Sequence, residues 1–186
     1  MTGDDPFHAV LVAAQAGAPW AFERLYLALA PAVAGYLRVQ GAREPDDLTS
    51  EVFERAFTHV RTFSGSEGQF RSWVFTIAHH RLTDERRRLA RRPLAERPLA
   101  ADDVTAPAVA DVEDEALRRL ATERVRRLCD GLVTDQRDVM LLRLVGGLTV
   151  EETAGALRKT PGAVKALQHR GVAALRRMAA REGVSL

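Results

Sequence analysis

The chain has 186 residues, of which 46% are hydrophobic and 28% are charged, with a formal net charge of +2 and a single cysteine. This composition is typical of one or two small folded domains and excludes a disordered protein. One cysteine excludes an intramolecular disulfide, and no apolar run approaches the roughly 20 residues that span a bilayer. The N-terminus lacks the positively charged flank of a signal peptide. We therefore expect a cytoplasmic protein without membrane insertion.

Four helical segments are predicted in the N-terminal half. The first begins near Pro6, and the second follows an apolar stripe of period near 3.6 over residues 22–37, which ends before Gly41. The third opens at residues 44–47, where a proline precedes two acids, and the fourth occupies about residues 69–88. Because no longer segment alternates strictly between apolar and polar residues, the sequence predicts an all-α fold.

The composition changes after the fourth helix. Residues 91–112 contain prolines and many alanines but no helical stripe, which indicates a flexible linker. Beyond it, Thr134 is predicted to be a helix N-cap, and Leu144 continues the apolar face of that helix. We therefore predict two small helical domains, residues 1–90 and residues 113–186, joined by the linker.

The strongest local motif begins at Thr149. Thr149 and Glu152 have capping-box spacing for a short helix, and Thr160 followed by Pro161 starts a longer helix after a tight turn. This pattern predicts a helix-turn-helix, whose second helix fits a DNA major groove about 12 Å wide. The outer face of that helix would present the candidate DNA contacts Thr160, Gly162, Lys165, Ala166, His169 and Arg170. The alternative interpretation is an ordinary helical hairpin with a solvated basic face.

The third helix carries an acidic row opposite its apolar stripe. Asp47, Glu51 and Glu54 are spaced i, i+4 and i+7, so they share one face of the helix. Such a row favours docking to a basic partner surface. The alternative is a plain solvated face, which has the same spacing.

A glycine- and serine-rich loop, residues 62–68, precedes the fourth helix. Phe63 lies near its start and Phe70 follows its end, and the helix that follows ends in three consecutive arginines, residues 86–88. Aromatic rings beside cations suit single-stranded nucleic acid, because a base unstacks onto the ring while arginines bind phosphates. The alternative is that the aromatic residues are simply core, as we expect for Trp73.

These segments together resemble one family, the extracytoplasmic-function (ECF) group of bacterial RNA polymerase sigma factors. Residues 46–57 (DDLTSEVFERAF) resemble the polymerase-binding helix of the group, and residues 70–88, which begin FRSWVFTIA, resemble its promoter-melting helix. Residues 135–144 and the helix-turn-helix resemble its C-terminal domain. The likeness covers roughly residues 20–90 and 115–180, in the order in which the family has them.

The resemblance implies an alternative sigma factor that binds core RNA polymerase, directs it to specific promoters and helps to open their −10 region. The polymerase-binding helix would contact the clamp of the largest subunit through Asp46, Asp47, Ser50, Glu51 and Glu54. The C-terminal domain would contact the flap of the other large subunit, and the linker would thread through the polymerase channels. An anti-sigma protein is a further expected partner, and neither a metal nor a cofactor is expected.

The resemblance also assigns promoter contacts. The −10 strand would be held by Thr62, Phe63, Ser64, Gly65, Phe70, Arg71, His79, His80, Asp84, Arg86, Arg87 and Arg88. The −35 element would be read by the outer face of the second helix of the helix-turn-helix, together with Thr149. The chain departs from the family pattern at His80, where asparagine is frequent, at residues 166–168, where Ser-Arg-Leu is common, and at Gly171, where alanine is usual. The promoter sequence is therefore not carried over.

Two other classes of function compete with this prediction. An enzyme would need a reactive site, and His79, His80, Asp84 and Glu85 lie close enough in sequence to suggest a metal cluster. However, the chain has no HExxH motif, no cysteine pair and no glycine-rich phosphate loop, and Cys129 is expected in the core. A stand-alone helix-turn-helix regulator of duplex DNA would explain the C-terminal motif but leaves the acidic row and the glycine-serine loop without a role.

Overall fold

The computed structural model of the chain describes residues 6–91, residue 123 and residues 125–181. Every regular element in those ranges is helical, which confirms the predicted all-α class. Nearly all of the predicted linker and the predicted start of the second domain, residues 113–122, lie outside the described residues.

The described part of the N-terminal unit is built from long helices that begin at predictable residues. Pro19 and Pro45 stand in the first turns of their helices, where a missing N–H costs little because those amides have no intrahelical partner. Gly41 follows the second helix with a φ of +76°, a conformation that glycine adopts without strain. The elements are α1 (Pro6–Gln15), α2 (Pro19–Val39), α3 (Pro45–His59), a 3₁₀ turn (Val60–Thr62) and α4 (Glu67–Arg91).

The start of α4 differs from the prediction, which placed it at about residue 69. Ser66 and Gln69 form a reciprocal pair: Ser66 N donates to Gln69 Oε1 (2.8 Å), and Gln69 N donates to Ser66 Oγ (3.4 Å). This is the Ser-x-x-Gln form of a capping box, and it starts the helix at Glu67. The loop between the 3₁₀ turn and α4 is therefore shorter than the sequence suggested.

The C-terminal unit contains the predicted helix-turn-helix. Residues 125–130 are helical and are followed by α5 (Thr134–Leu144), α6 (Val150–Leu157) and α7 (Pro161–Arg181). Val139, Ala154, Val164 and Leu167 form a small buried cluster that holds α5, α6 and α7 together. Two expectations about α5 were wrong: Thr134 is its first helical residue and not its N-cap, and Leu144 is 72% exposed at its last turn.

The capping box of α6 is confirmed in both directions. Thr149 Oγ1 accepts from Glu152 N at 3.1 Å, and Thr149 N donates to Glu152 Oε2 at 2.7 Å. Arg158 then ends α6 with a φ of 52°, and Thr160 Oγ1 accepts from Ala163 N at 3.2 Å to begin α7. The tight turn of the motif is thus fixed by side-chain caps on both helices.

Thr149→Ala is expected to lower the free energy of unfolding by about 1 kcal/mol, because one amide at the start of α6 loses its partner. Thr58→Ala is the matched control, since the Thr58 hydroxyl bonds to the Glu54 carbonyl within an exposed helix and caps nothing. Urea denaturation followed by far-ultraviolet circular dichroism measures both variants. An equal loss in both would contradict a capping role for Thr149.

The two units share a continuous buried core, which the sequence did not predict. Leu142, Leu148 and Ala156 of the C-terminal unit belong to the same cluster as Phe75 and Leu82 of α4. A Cβ built on Gly146 would lie 3.2 Å from Phe75 Cδ1, so the backbone between α5 and α6 approaches α4 closely. The buried Cys129 lies in this cluster too, as expected, and burial raises the pKa of its thiol.

Candidate protein and nucleic-acid interfaces

The acidic row of α3 faces away from the core. Leu48, Val52, Phe53 and Ala56 bury the opposite side of the helix. Because α3 turns every 3.6 residues, this burial points the polar positions outward. The exposed members of the predicted set are Asp46, Asp47, Ser50 and Glu54, and Glu51 is half-buried.

Two of these acids already have cationic partners within the N-terminal unit. Asp46 Oδ1 lies 2.6 Å from Arg38 of α2, and Glu51 Oε2 lies 3.0 Å from Arg81 of α4. The Glu51 pair fixes α3 against α4 on one edge of the acidic face. Asp47 and Glu54 are the exposed carboxylates on either side of that pair.

The aromatic residues around the loop form a stacked cluster. Phe63 is half-buried and stacks on Trp73 with ring centroids 5.1 Å apart and an interplanar angle of 24°. Phe70 is 1% exposed and packs edge-on against Phe63 at 5.3 Å and in a tilted arrangement against Phe7 at 5.7 Å. The Phe70 ring therefore belongs to the core in this structure, and its assignment as a base contact stays a prediction. Phe63 remains the aromatic residue at the edge of the loop.

A glutamine of α1 holds the loop, and no sequence pattern indicates this role. Gln15 Nε2 donates to the carbonyl oxygens of Phe63 (2.8 Å) and Val60 (3.2 Å). These two bonds span more than forty positions of the chain, so neither local spacing nor composition reveals them. They position the backbone that presents the exposed residues Thr62, Ser64 and Gly65.

Two residues of α4 that were predicted to bind DNA, Arg71 and His80, form hydrogen bonds with the C-terminal unit, although His80 is also exposed to solvent. The Arg71 guanidinium also lies over the Phe75 ring, 5.2 Å from its centroid. Asp84, Arg87 and Arg88, further along α4, are exposed. The hydrogen bonds to the C-terminal unit run from Arg71 Nη2 to the Val145 carbonyl (2.6 Å), from Ser72 Oγ to Glu152 Oε2 (3.2 Å), and between His80 Nε2 and the Ala156 carbonyl (3.1 Å).

His79 lies in a buried polar network rather than on the surface, and its role as a DNA contact stays a prediction. Its Nδ1 lies 3.0 Å from the hydroxyl of Tyr36. Gln40 Nε2 donates to Asp138 Oδ1 at 2.6 Å and approaches the same hydroxyl at 3.4 Å, and Arg86 donates to the Gln40 carbonyl at 2.5 Å. Burial lowers the pKa of His79, an effect that Asp138 opposes, and burial raises the pKa of Tyr36. The network joins α2, α4 and α5.

This network predicts a loss of stability in mild acid. Because the folded-state pKa of His79 is lowered, the unfolded chain binds more protons below the ordinary histidine pKa of about 6.5. Stability is therefore retained above that pH and lost as the pH falls towards the folded-state pKa, by up to about 1.4 kcal/mol for each pH unit between the two pKa values. Urea titrations at about pH 7 and pH 5 should show a smaller loss in His79→Gln than in the parent chain. His8→Gln, at an exposed position, is the control; an equal change in both variants would contradict the assignment.

The outer face of α7 presents the residues that the sequence placed there. Thr160, Gly162, Lys165, Ala166, His169 and Arg170 are all exposed, and so is Thr149 at the start of α6. The segment Pro161–Arg181 contains no acidic residue, so its exposed surface is cationic. Of the departures from the family pattern, Ala166 faces outward, Leu167 is buried, and Gln168 Oε1 accepts from Arg143 Nε at 3.3 Å.

Close packing explains the glycine at position 171, where the family usually has alanine. A Cβ at this position would lie 3.0 Å from Met140 Cγ and 3.3 Å from Met140 Sδ. The glycine therefore lets α7 pack closely on α5. This close packing accounts for a glycine at position 171.

Comparison with known proteins identifies the family. The Sigma-70 region 2 family matches residues 25–92, and the family described as Sigma-70, region 4 matches residues 122–175. The ECF RNA polymerase sigma factor SigX of Bacillus subtilis is 31% identical over 149 residues, which cover 76% of this chain and 74% of SigX. The chain belongs to the ECF sigma factors.

Other similar proteins agree with this membership. The ECF RNA polymerase sigma factor BldN of Streptomyces coelicolor is 34% identical over 169 residues, and the match covers 89% of this chain but 62% of the length of BldN. A solved structure of CnrH, in complex with the cytosolic domain of CnrY, has the same fold with a TM-score of 0.62. Its identity is 22%, and the match covers 95% of this chain and 99% of that chain.

Each of the two family matches contains a different group of the candidate interfaces of this sigma factor. The region 2 match contains α3, the loop and α4, and the region 4 match contains the helix-turn-helix. In the described parts of the sigma factor, no three His, Cys, Asp or Glu side chains are grouped to hold a metal ion. Among those same residues, no helix is long and apolar enough to cross a membrane.

Proposed function

We propose that this alternative sigma factor binds core RNA polymerase through α3, reads the −35 element through α7 and holds the opened −10 strand through the loop and α4. The observation that carries the proposal is the separation of charge. The exposed face of α3 is acidic, whereas α7 contains cations and no acid. The two helices therefore suit partners of opposite charge, a basic protein surface and a polyanion.

Docking to the polymerase clamp is assigned to Asp46, Asp47, Ser50, Glu51 and Glu54. Arg38 and Arg81 hold two of these acids in place, which limits the side-chain freedom that binding removes. Asp47 and Glu54 supply the exposed charge for a basic partner. Ser50 lies between them as a small polar residue that permits close approach.

For the −10 strand, the exposed loop residues Thr62, Ser64 and Gly65 and the half-buried Phe63 are the first contacts. The Phe63 and Trp73 pair gives a ring face on which an unstacked base can lie, a contact worth about 1–3 kcal/mol per base. Arg87 and Arg88 supply cations for the phosphates of the same strand. The residues assigned to the −10 strand also include Arg71, His80 and Arg86. In this structure each of these side chains forms a hydrogen bond with a backbone carbonyl of the chain.

For the −35 element, α7 enters the major groove with Lys165, His169 and Arg170 on its outer face. Gly162 and Ala166 are small, so the helix backbone can lie close to the base edges. The same unit is assigned the flap of the second large subunit. Action on RNA polymerase places the protein in the cytoplasm, and the proposed role requires no catalysis by this chain.

An anti-sigma protein is the proposed regulatory partner. The ECF resemblance implies one, and the similar CnrH was solved with the cytosolic domain of a second protein, CnrY. The partner of this chain would have to compete with polymerase or promoter for the surfaces named above.

The proposed function is tested by transcription with purified core RNA polymerase on a genomic promoter library, with and without this protein. Discrete start sites that depend on the protein are expected, and their alignment gives the −10 and −35 sequences. Retention of duplex DNA without any binding to core would overturn the proposal in favour of a stand-alone regulator.

A further inference from the structure

A cleft lies where α3, α4 and the turn after α6 meet, and its lining is strongly cationic. Its volume is about 500 Å³, and small-molecule sites usually have ~300–1,000 Å³. Four arginines line it, one from α3, two from α4 and one from the turn: Arg55, Arg81, Arg87 and Arg158. Among the described residues of the lining, Asp84 is the single acid, and it lies 3.8 Å from Arg87. The cleft therefore favours an anionic occupant.

Two of the four guanidinium groups have no partner of opposite charge. The side chains of Arg55 and Arg158 form no ion pair or hydrogen bond with any residue that the structure describes, and both residues are exposed. Arg81 pairs with Glu51, which is outside the lining, at 3.0 Å. Its Nε is nevertheless buried without a partner within the described ranges. The cleft thus holds donors that the chain itself does not satisfy.

Arg158 lines this cleft from a backbone conformation that few residues adopt. Its φ of 52° lies in the left-handed region, and no other non-glycine residue of the described ranges has a positive φ. Glycine usually ends a helix in this conformation because it has no Cβ to clash. The cap uses only backbone groups, since the amides of Arg158 and Lys159 donate to the carbonyls of Gly155 and Ala154. The cap therefore does not need an arginine, and residues held in such conformations cluster at ligand sites.

Phosphate groups match these donors better than other common anions do. A guanidinium binds a phosphate through two parallel N–H groups, and several arginines can hold successive phosphates of one chain. Ile77 and Leu157 add apolar surface beside the cations, and His80 adds an exposed ring. An oligophosphate, alone or as part of a nucleotide, therefore fits both the charge and the volume of the cleft.

We propose that the cleft between α3, α4 and the turn after α6 binds a small oligophosphate, either inorganic or the phosphate chain of a nucleotide, with Arg55, Arg81 and Arg158 as its main ligands. These three arginines belong to none of the interfaces assigned above, whereas Arg87 at the same cleft is shared with the −10 set. The N-terminal unit supplies two of the three ligands and the C-terminal unit supplies the third. An occupant that both units hold stabilises the folded chain by mass action.

Isothermal titration calorimetry of the full chain at moderate salt measures the binding of two probes, inorganic tripolyphosphate and ATP. Arg55→Ala and Arg158→Gly should each weaken the binding of both probes by about tenfold or more, because each removes a charged hydrogen-bond donor. Glycine at position 158 keeps the positive φ. Arg24→Ala is the matched control, since Arg24 is an exposed arginine of α2 that does not line the cleft. Its affinities should equal those of the parent chain.

Thermal unfolding followed by circular dichroism gives a second readout. Tripolyphosphate should raise the Tm of the parent chain and of Arg24→Ala, and the rise should be lost in Arg55→Ala and Arg158→Gly. Both cleft variants should keep the helical spectrum of the parent, because they replace exposed side chains outside the core. If one variant does not fold, the other decides, since the two lie in different units.

Equal affinities for tripolyphosphate and ATP would assign the site to the phosphate chain alone, and tighter binding of ATP would include the nucleoside; both results support the proposal. The absence of saturable binding of either probe would overturn it, and so would an equal loss in Arg24→Ala. A short single strand of mixed-sequence DNA is the third titrant. If only this strand loses affinity in the cleft variants, the arginines serve DNA and the proposal is wrong. No titration uses polymerase, so the result is independent of the transcription assay.

Discussion

Replacing Asp47 and Glu54 together by arginine is expected to weaken binding to core RNA polymerase at least about 100-fold, or about 2.7 kcal/mol. Both carboxylates are exposed on the acidic face of α3. Close charge pairs across an interface have coupling energies of about 1.5–7 kcal/mol, and reversal turns each attraction into repulsion. The fold should be retained, because exposed positions away from the core change stability by about 0.5 kcal/mol or less.

The structure determines which acids suit this test. Glu51 is the central acid of the row, but it pairs with Arg81, whose Nε is buried without a partner among the described residues. An arginine at position 51 would place two cations against each other between α3 and α4. A loss of binding in that variant would then report damaged packing as well as lost docking.

Titration of labelled sigma factor with core polymerase measures the effect. Glu54→Arg and Glu23→Arg form a charge-matched pair, since Glu23 is also exposed but lies on α2 and is not part of the acidic row of α3. Only the first should weaken binding, by about tenfold. Equal affinities for the double variant and the parent chain would remove α3 from the polymerase interface.

The local elements of the fold could be predicted from the sequence because their signals are local. Pro45 with the acids after it placed the start of α3, and the capping box of Thr149 and Glu152 placed the start of α6. The start of α4 was missed although Ser66 and Gln69 have the same kind of spacing. The two glycines in this segment favoured a loop, but the reciprocal hydrogen bonds of Ser66 and Gln69 start the helix in spite of them.

The side-chain environment of the candidate site could not be predicted in the same way. Phe70 and His79 lie on faces of α4 that the spacing alone leaves ambiguous, because both the N-terminal core and the C-terminal unit pack on that helix. The bond between Gln40 and Asp138 joins residues 98 positions apart. A single sequence holds no periodicity that relates two such positions, so the contact between the units emerged only from the structure.

Replacing Lys165 and Arg170 by alanine is expected to lower affinity for promoter duplex by about 10- to 100-fold at moderate salt. Both cations are exposed on the outer face of α7. Each phosphate contact releases counterions and makes the negative slope of log affinity against log salt concentration steeper by about 0.9. Losing two such contacts should therefore make the slope shallower by about two. Affinities measured between about 50 and 200 mM salt give this slope.

Arg126→Ala with Arg127→Ala is the control for net charge, since both arginines are exposed in the same unit and pair with Glu123. A general attraction between a basic unit and DNA would weaken equally in both double variants. A groove-bound α7 predicts a large change in slope for Lys165 and Arg170 and a small one for the control. Because Lys165 and Arg170 are exposed, this difference should appear with the free protein as well as with the polymerase complex. An unchanged slope in the α7 variant would place the duplex-binding face on another helix.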